Sequence, residues 1–292
     1  MQFKGVMPAL VTPFDDEGKI DFGKFEKLLL KLRAAGVSGW VPCGSTGEYN
    51  ALRAQERVSV LKFVAEFARK DEHLIAGTNG GSTWEVIEHT KRAREIGYST
   101  VLLSAPFYAT PAPNELIGHY QAVLDAVDVD IVLYNYPPKV GVEVGLGVLD
   151  AFVANPRILG IKESSGNLLR AIDIRNRYGD RYQLMNGSDD QTIDFYLWGA
   201  TSWICGPANC TAKACVDLVK TIESGDWLAA RDKAQVLYPV MNNLEGGKFV
   251  QKVKFGCELA GTPVGHGRRP LLPLSQEEKA AFKKAMEPVL NI

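Results

Sequence analysis

Cysteine is scarce in this chain. There are five in 292 residues, an odd number spread along its length, so no disulfide framework is expected and the thiols read as reduced. Cys205, Cys210 and Cys215 recur five residues apart, but zinc-site spacings are shorter and no histidine lies nearby. They read as small buried residues, and no metal is expected. Histidine is scarcer still: His73, His89, His119 and His266 stand apart from one another and from any acidic cluster. A histidine metal centre or a Ser-His-Asp triad therefore has little support. Long hydrophobic runs are missing too, since none approaches the ~18 residues that cross a bilayer. The opening Met1-Gln2-Phe3-Lys4-Gly5 has no basic stretch leading into an apolar one, so no signal peptide is expected, and the expected location is the cytoplasm. Excess charge of one sign is also lacking. Lys and Arg number 33 against 34 Asp and Glu, a net charge of -1, which gives no reason to expect a nucleic-acid or membrane partner.

What is present is alternation. Apolar, β-branched runs at residues 6–14, 37–43, 73–78, 100–105, 131–136, 158–163, 182–186 and 202–206 read as strands. Segments of helical period lie between or after them, at 22–35, 53–69, 83–95, 115–126 and 212–222. Eight such units, with near-continuous apolar strands covered on both faces, predict an α/β fold: a (β/α)8 TIM barrel. Residues 226–292 add helices at 227–241, 248–259 and 276–289 with a Gly/Pro-rich link at 261–273, and no strands. We read 1–225 as the catalytic barrel and 226–292 as a C-terminal helical appendage packed on it.

Chemistry in such barrels sits where strands end. The residues there include Gly44-Ser45-Thr46-Gly47-Glu48 after strand 2, Pro106-Phe107-Tyr108 after strand 4, Tyr134-Asn135-Tyr136-Pro137 in strand 5 and Gly160-Ile161-Lys162-Glu163 in strand 6. Lys162 stands out, because an ammonium inside an apolar barrel strand is costly and its pKa should fall. A neutral amine can condense with a carbonyl, and the resulting protonated imine is an electron sink. The bland alternative is a lysine that snorkels past the strand end. Tyr134 stands where its phenol could point into the barrel beside Lys162 and shuttle protons, or simply pack in the core. Ser45 and Thr46, between two glycines, could hold a small carboxylate, although Ser, Thr and Gly are also ordinary turn residues.

With these motifs in this order and at these separations, nearly the whole chain resembles the dihydrodipicolinate synthase and N-acetylneuraminate lyase family of Schiff-base barrel enzymes. The resemblance implies that Lys162 forms the imine, with no other cofactor, and that Tyr134 shuttles protons. It implies that Ser45 and Thr46 hold the substrate carboxylate beside Gly47, with Thr46 relaying protons to Tyr134. Tyr108 would cross a tight dimer interface into a neighbouring site, so a homodimer or a dimer-of-dimers tetramer is expected. Gly187, Ile204 and Asn209 would line the imine pocket.

Two departures bear on substrate. Ser45 replaces the synthase's first threonine, and Lys139 stands where the synthase has an arginine for the carboxylate of its aldehyde substrate. Lysine cannot copy a bidentate guanidinium contact. The reading favoured on that ground is a lyase, dehydratase or deaminase of a small 2-oxo acid or its cyclic imine, with 1-pyrroline-4-hydroxy-2-carboxylate deaminase first. Dihydrodipicolinate synthase, condensing pyruvate with aspartate semialdehyde, is the alternative. An N-acetylneuraminate-type aldolase and a non-catalytic 2-oxo acid sensor follow. Glu48, Tyr49, Asn50 and Tyr136 are expected near the mouth, serving a second half of the substrate.

Overall fold

The computed structural model describes residues 2–290. Its strands are β1 (Gly5–Pro8), β2 (Gly39–Trp40), β3 (His73–Gly77), β4 (Thr100–Ser104), β5 (Asp130–Asn135), β6 (Ile158–Glu163), β7 (Gln183–Asn186) and β8 (Ser202–Cys205). All pair in parallel, in the order β1-β8-β7-β6-β5-β4-β3-β2. The circle closes between β1 and β2, where Ser38 N–H donates to Val6 O at 2.9 Å and Val41 N–H to Pro8 O at 3.1 Å. The (β/α)8 barrel expected from the alternation is what the chain forms.

Two strands are shorter than the sequence suggests. The apolar run 6–14 gives a continuous strand only to Pro8, with pairing persisting at Ala9 and Leu10, and 37–43 gives a strand at Gly39–Trp40 with a bridge from Val41 to Ala9. Residues beyond Leu10 are apolar for a different reason: they cross the barrel rim beneath the C-terminal segment, where Phe14 N–H donates to Val264 O at 3.0 Å. Burial, not strand pairing, selects them. Between the strands run α1 (Phe22–Ala34), α2 (Ala54–Phe67), α3 (Thr83–Ile96), α4 (Pro113–Ala126), the short α5 (Pro137–Val140) and α6 (Leu146–Ala151), α7 (Leu168–Tyr178), α8 (Thr192–Leu197) and α9 (Ala208–Glu223). Helix α7 completes the unit after β6 and α8 the unit after β7, both beyond the segments singled out by period. Side chains start several helices: Asp21, Ser82 and Asn167 accept backbone N–H groups of the first turn. Thr211 breaks helical geometry inside α9, which is why the periodic pattern begins only at Ala212.

The appendage is α10 (Trp227–Glu245), α11 (Phe249–Leu259) and α12 (Gln276–Leu290), packed on α9 and on one another. All five cysteines are free and buried, as small core residues. No described helix is long and apolar enough to cross a membrane.

Side chains inside the barrel, among them Met7, Val41, Leu102, Val132, Tyr134, Met185 and Ile204, form a cluster distinct from the larger one between strands and helices. Alternation along each strand assigns residues to one or the other. On the outer side Glu72 joins three elements: it accepts from Arg33 at 2.7 and 2.8 Å, from the Trp40 indole at 2.8 Å and from Arg69 N–H at 2.8 Å. Burial would raise its pKa, but these donors prevail and lower it from 4.5 to about 2. A depressed carboxylate pKa contributes stability that is full above the unfolded value and is lost as pH falls through the folded one. The melting temperature should therefore drop between about pH 4.5 and 2. Glu72→Gln should cost about 2 kcal/mol at neutral pH and flatten that part of the profile in thermal melts across pH.

Candidate active site

Strands β5 and β6 pair with Tyr134 beside Lys162 and Asn135 beside Glu163. Neighbours in a parallel ladder point the same way, so the first pair faces the barrel interior and the second the helices. Lys162 is 6% exposed, and its Nζ lies 4.3 Å from the centroid of the Tyr134 ring. Burial lowers the pKa of this amine, against the pull of Asp189, Cys205 and Glu245. Buried Asp189, just after β7, accepts from the Trp203 indole at 2.8 Å. Burial raises its carboxyl pKa while Lys162 pulls it back. Both partners are thus pushed toward their neutral forms, and a neutral Lys162 is a nucleophile.

Space for the lysine comes from Gly187. A Cβ there would stand 2.7 Å from Lys162 Cε and 2.0 Å from Ser164 Oγ. Behind the strand, buried Glu163 accepts from Asn135 Nδ2 at 3.0 and 2.8 Å, from Ser165 N–H at 2.8 Å and from Arg170 Nε at 2.8 Å. Arg170 also donates to Val144 O at 2.7 Å, and Val144 N–H donates to Asn135 Oδ1 at 2.9 Å. This closed network fixes the end of β6 from outside, and with it the direction of Lys162.

The loop after β2 folds on itself: Gly47 N–H donates to Gly44 O at 3.0 Å and Glu48 N–H to Ser45 O at 3.1 Å. Thr12 Oγ1 donates to Gly47 O at 2.7 Å. These bonds leave the Ser45 and Thr46 amides for a ligand. The hydroxyls of Ser45 and Ser164 flank the Tyr134 phenol and favour its ionised form, but burial dominates and raises its pKa. No hydrogen bond joins Thr46 to that phenol. Thr46 is buried, with Oγ1 3.4 Å from where a Cβ on Gly206 would be. Tyr136 stacks on Tyr134 with centroids 5.8 Å apart, and burial pushes its phenol up to about 12.

The other expected site residues divide. Ile204 lies in the cluster inside the barrel. Asn209 is fully engaged with backbone: it donates to Ala9 O at 2.8 Å and Gly206 O at 2.7 Å and accepts from Val11 N–H at 3.0 Å. It clamps the ends of β1 and β8 and has no polar atom directed at a ligand. Lys139 is exposed on α5, where its charge acts on Glu245. Tyr108 is 96% exposed with φ 72°, so it takes no part in the site of its own chain. Glu48 and Tyr49, expected at the mouth, are engaged by the protein itself. Glu48 is held by Lys254 at 2.6 Å and by Arg268 N–H at 2.8 Å, and buried Tyr49 packs against Arg57, whose guanidinium lies 5.0 Å from its ring. Asn50 is exposed.

The strand-end rule reaches Ser164 and Asp189 in the sequence but assigns them no role, and sequence reasoning missed Glu245 and Phe249. Glu245 and Phe249 flank the α10–α11 junction and carry no local signal, yet the Phe249 ring would be 2.6 Å from a Cβ on Gly206.

A profile of the dihydrodipicolinate synthetase family matches residues 2–289. The chain belongs to this family. It is 33% identical over 279 residues to the 4-hydroxy-tetrahydrodipicolinate synthase of Methanosarcina mazei, covering 95% of each chain. It is 34% identical over 292 residues to that of Geobacter metallireducens, covering 98% of this chain and 99% of the other. Among solved structures, the dihydrodipicolinate synthase of Acinetobacter baumannii complexed with pyruvate superposes with a TM-score of 0.95 at 29% identity over 99% of both chains. The synthase of Methylacidiphilum fumariolicum gives 0.95 at 29% identity, covering 99% of this chain and 97% of that one. As a member of the dihydrodipicolinate synthetase family the chain is an enzyme, a lyase of the Schiff-base type.

Borohydride added with pyruvate is expected to attach the adduct to Lys162 in peptide maps. The trapping rate should rise with pH through a range below the ordinary 10.5 of lysine. An adduct on Lys139, Lys252 or Lys254 with Lys162 unmodified would rule this out. Gly187→Ala should leave the fold intact, because the atoms nearest its new methyl belong to the side chains of Ser164 and Lys162, which must shift to make room. By displacing the amine it should slow trapping about 100-fold, the effect of misplacing a reacting group by ~1 Å.

Proposed function

We propose that this enzyme condenses pyruvate with aspartate semialdehyde, the 4-hydroxy-tetrahydrodipicolinate synthase reaction, through a Schiff base on Lys162. The observation that carries the reading is the buried amine of Lys162 against the Tyr134 ring, in a chain whose full-length relatives bear that name. In this reading the Ser45 and Thr46 amides hold the pyruvate carboxylate. Neutral Lys162 adds to the keto carbon, Tyr134 passes the proton that lets the carbinolamine oxygen leave as water, and the protonated imine results. Loss of a proton from the methyl carbon gives an enamine that attacks the aldehyde. In this reading Tyr134, with Ser45 beside it, makes these transfers.

A second reading, 1-pyrroline-4-hydroxy-2-carboxylate deaminase, is favoured by Lys139. It is an exposed point charge acting on Glu245, a weak receiver for a second carboxylate, and the cyclic imine has only one. A sensor without turnover falls away with membership of an enzyme family. We also propose a homodimer, paired or not into a tetramer. Its contact would carry Tyr108 together with Phe107 and Trp84, which are 37% and 73% exposed.

Both substrates should be assayed on one preparation. Condensation with aspartate semialdehyde is expected, and Lys139→Ala should lower kcat/KM for it about tenfold, the lower end for losing a contact to a charged group. Release of ammonia from the cyclic imine, without condensation, would replace the first reading by the second and leave the imine on Lys162 standing. Tyr134→Phe should fold normally and turn over ~10²–10⁴-fold more slowly, with a smaller change in substrate binding. An unchanged rate would return Tyr134 to a packing role.

A further inference from the structure

The C-terminal appendage reaches the carboxylate loop through charge. Glu48, the last residue of that loop, has a left-handed backbone at φ 58°, a conformation that a residue with a Cβ adopts only when its surroundings hold it. Its carboxylate meets Lys254 of α11 at 2.6 Å, with the two side chains 3% and 2% exposed. Arg268 N–H donates to its other oxygen at 2.8 Å. Lys254 also donates to His266 O at 3.0 Å and lies 4.2 Å from the centroid of the Phe14 ring. The Arg268 guanidinium lies 4.4 Å from the same ring and donates to Gly18 O and Ala51 O, both at 2.9 Å. It is also ion-paired to Glu56 at 2.5 Å. A surface of this size needs no buried ion pair for stability, since such a pair costs about as much to desolvate as it returns. What the pair does is fix one geometry, because a carboxylate held from two sides cannot swing.

We infer that Glu48 is a positioning residue: its lock to Lys254 and the Arg268 amide sets the turn that presents the Ser45 and Thr46 amides to the carboxylate of a 2-oxo acid. This rests on the reading of that loop as the carboxylate holder. Breaking the lock lets the turn relax, so the carboxylate loses aligned donors while the chemistry at Lys162 continues.

The test compares pyruvate with pyruvamide, its neutral carboxamide, by borohydride trapping on Lys162 in the whole protein and in Glu48→Gln. The half-saturating pyruvate concentration is expected to rise about tenfold, the scale of one lost charge-assisted contact. Half-saturation by pyruvamide and the maximal trapped fraction should not change. A double variant, Glu48→Gln with Lys254→Met, leaves no unpaired buried charge and should show the same pattern. It is read in place of the single variant if that one does not fold. Equal shifts for both probes, no shift for either in a folded variant, or failure of both variants to fold would make the lock purely structural and overturn the inference. If the unmodified protein traps both probes equally well, the carboxylate reading of the loop fails first, and is distinguished by that result.

Discussion

A lysine amine buried at the top of a closed barrel is the constraint around which the rest of the site is arranged. Keeping an isolated ammonium in such a place costs several kcal/mol, on the order of 3–5 when no partner compensates it. The protein relieves this by lowering the pKa of Lys162 and placing Asp189 close enough to share the charge. The Tyr134 ring presents a face to the amine at 4.3 Å, and Gly187 omits the side chain that would occupy its path. The outer network of Glu163, Asn135 and Arg170 has the opposite character. It joins an ion pair to amide and backbone donors, so it fixes the frame, while burial lowers the pKa of the amine one residue away. Adjacent residues of one strand are thus given opposite electrostatic treatment by the alternation of the pleat.

The appendage is part of the site. Glu245 acts on Lys162 and Lys139 from the end of α10, Phe249 closes on Gly206 at the end of β8, and Lys254 and the segment through Arg268 grip the loop after β2. The last turn of α10, α11 and the following strap together cover one side of the barrel mouth. The boundary near residue 226 therefore marks a change of architecture and not a change of role.

Charge at the mouth frames the choice of substrate. An arginine at position 139 would offer a planar fork to a carboxylate. Lys139 offers an exposed point charge already acting on Glu245. Glu245 is also acted on by Asp190 and in turn acts on Tyr136, which stacks on Tyr134. The part of the pocket next to Lys162 is defined by geometry inside the barrel, and the outer part by a few side chains at its rim. The inner chemistry can persist through changes at the rim that redirect it to another second substrate.

Hydrophobic periodicity was enough to read eight strands and most helices, because parallel barrel strands are buried on both faces. It overran at the far end of the run 6–14, beyond Leu10, where apolarity comes from the C-terminal segment and not from a ladder. The placement of Lys162 and Tyr134 was legible because each lies in an apolar strand where a polar side chain needs a reason, and strand alternation sets which way it points. The work of Glu48 was not legible: in the sequence it is a polar residue in a loop, and its partners lie more than 200 residues away at Lys254 and Arg268. The same holds for Asn209, whose partners Ala9 and Val11 follow β1, about 200 residues away. By itself the sequence determined the barrel and the buried lysine and tyrosine inside it, since burial pattern and local residue type specify these. Only the tertiary structure decided which polar groups are spent on holding the frame and which remain for a ligand, because that depends on partners brought together by closure of the barrel and docking of the appendage.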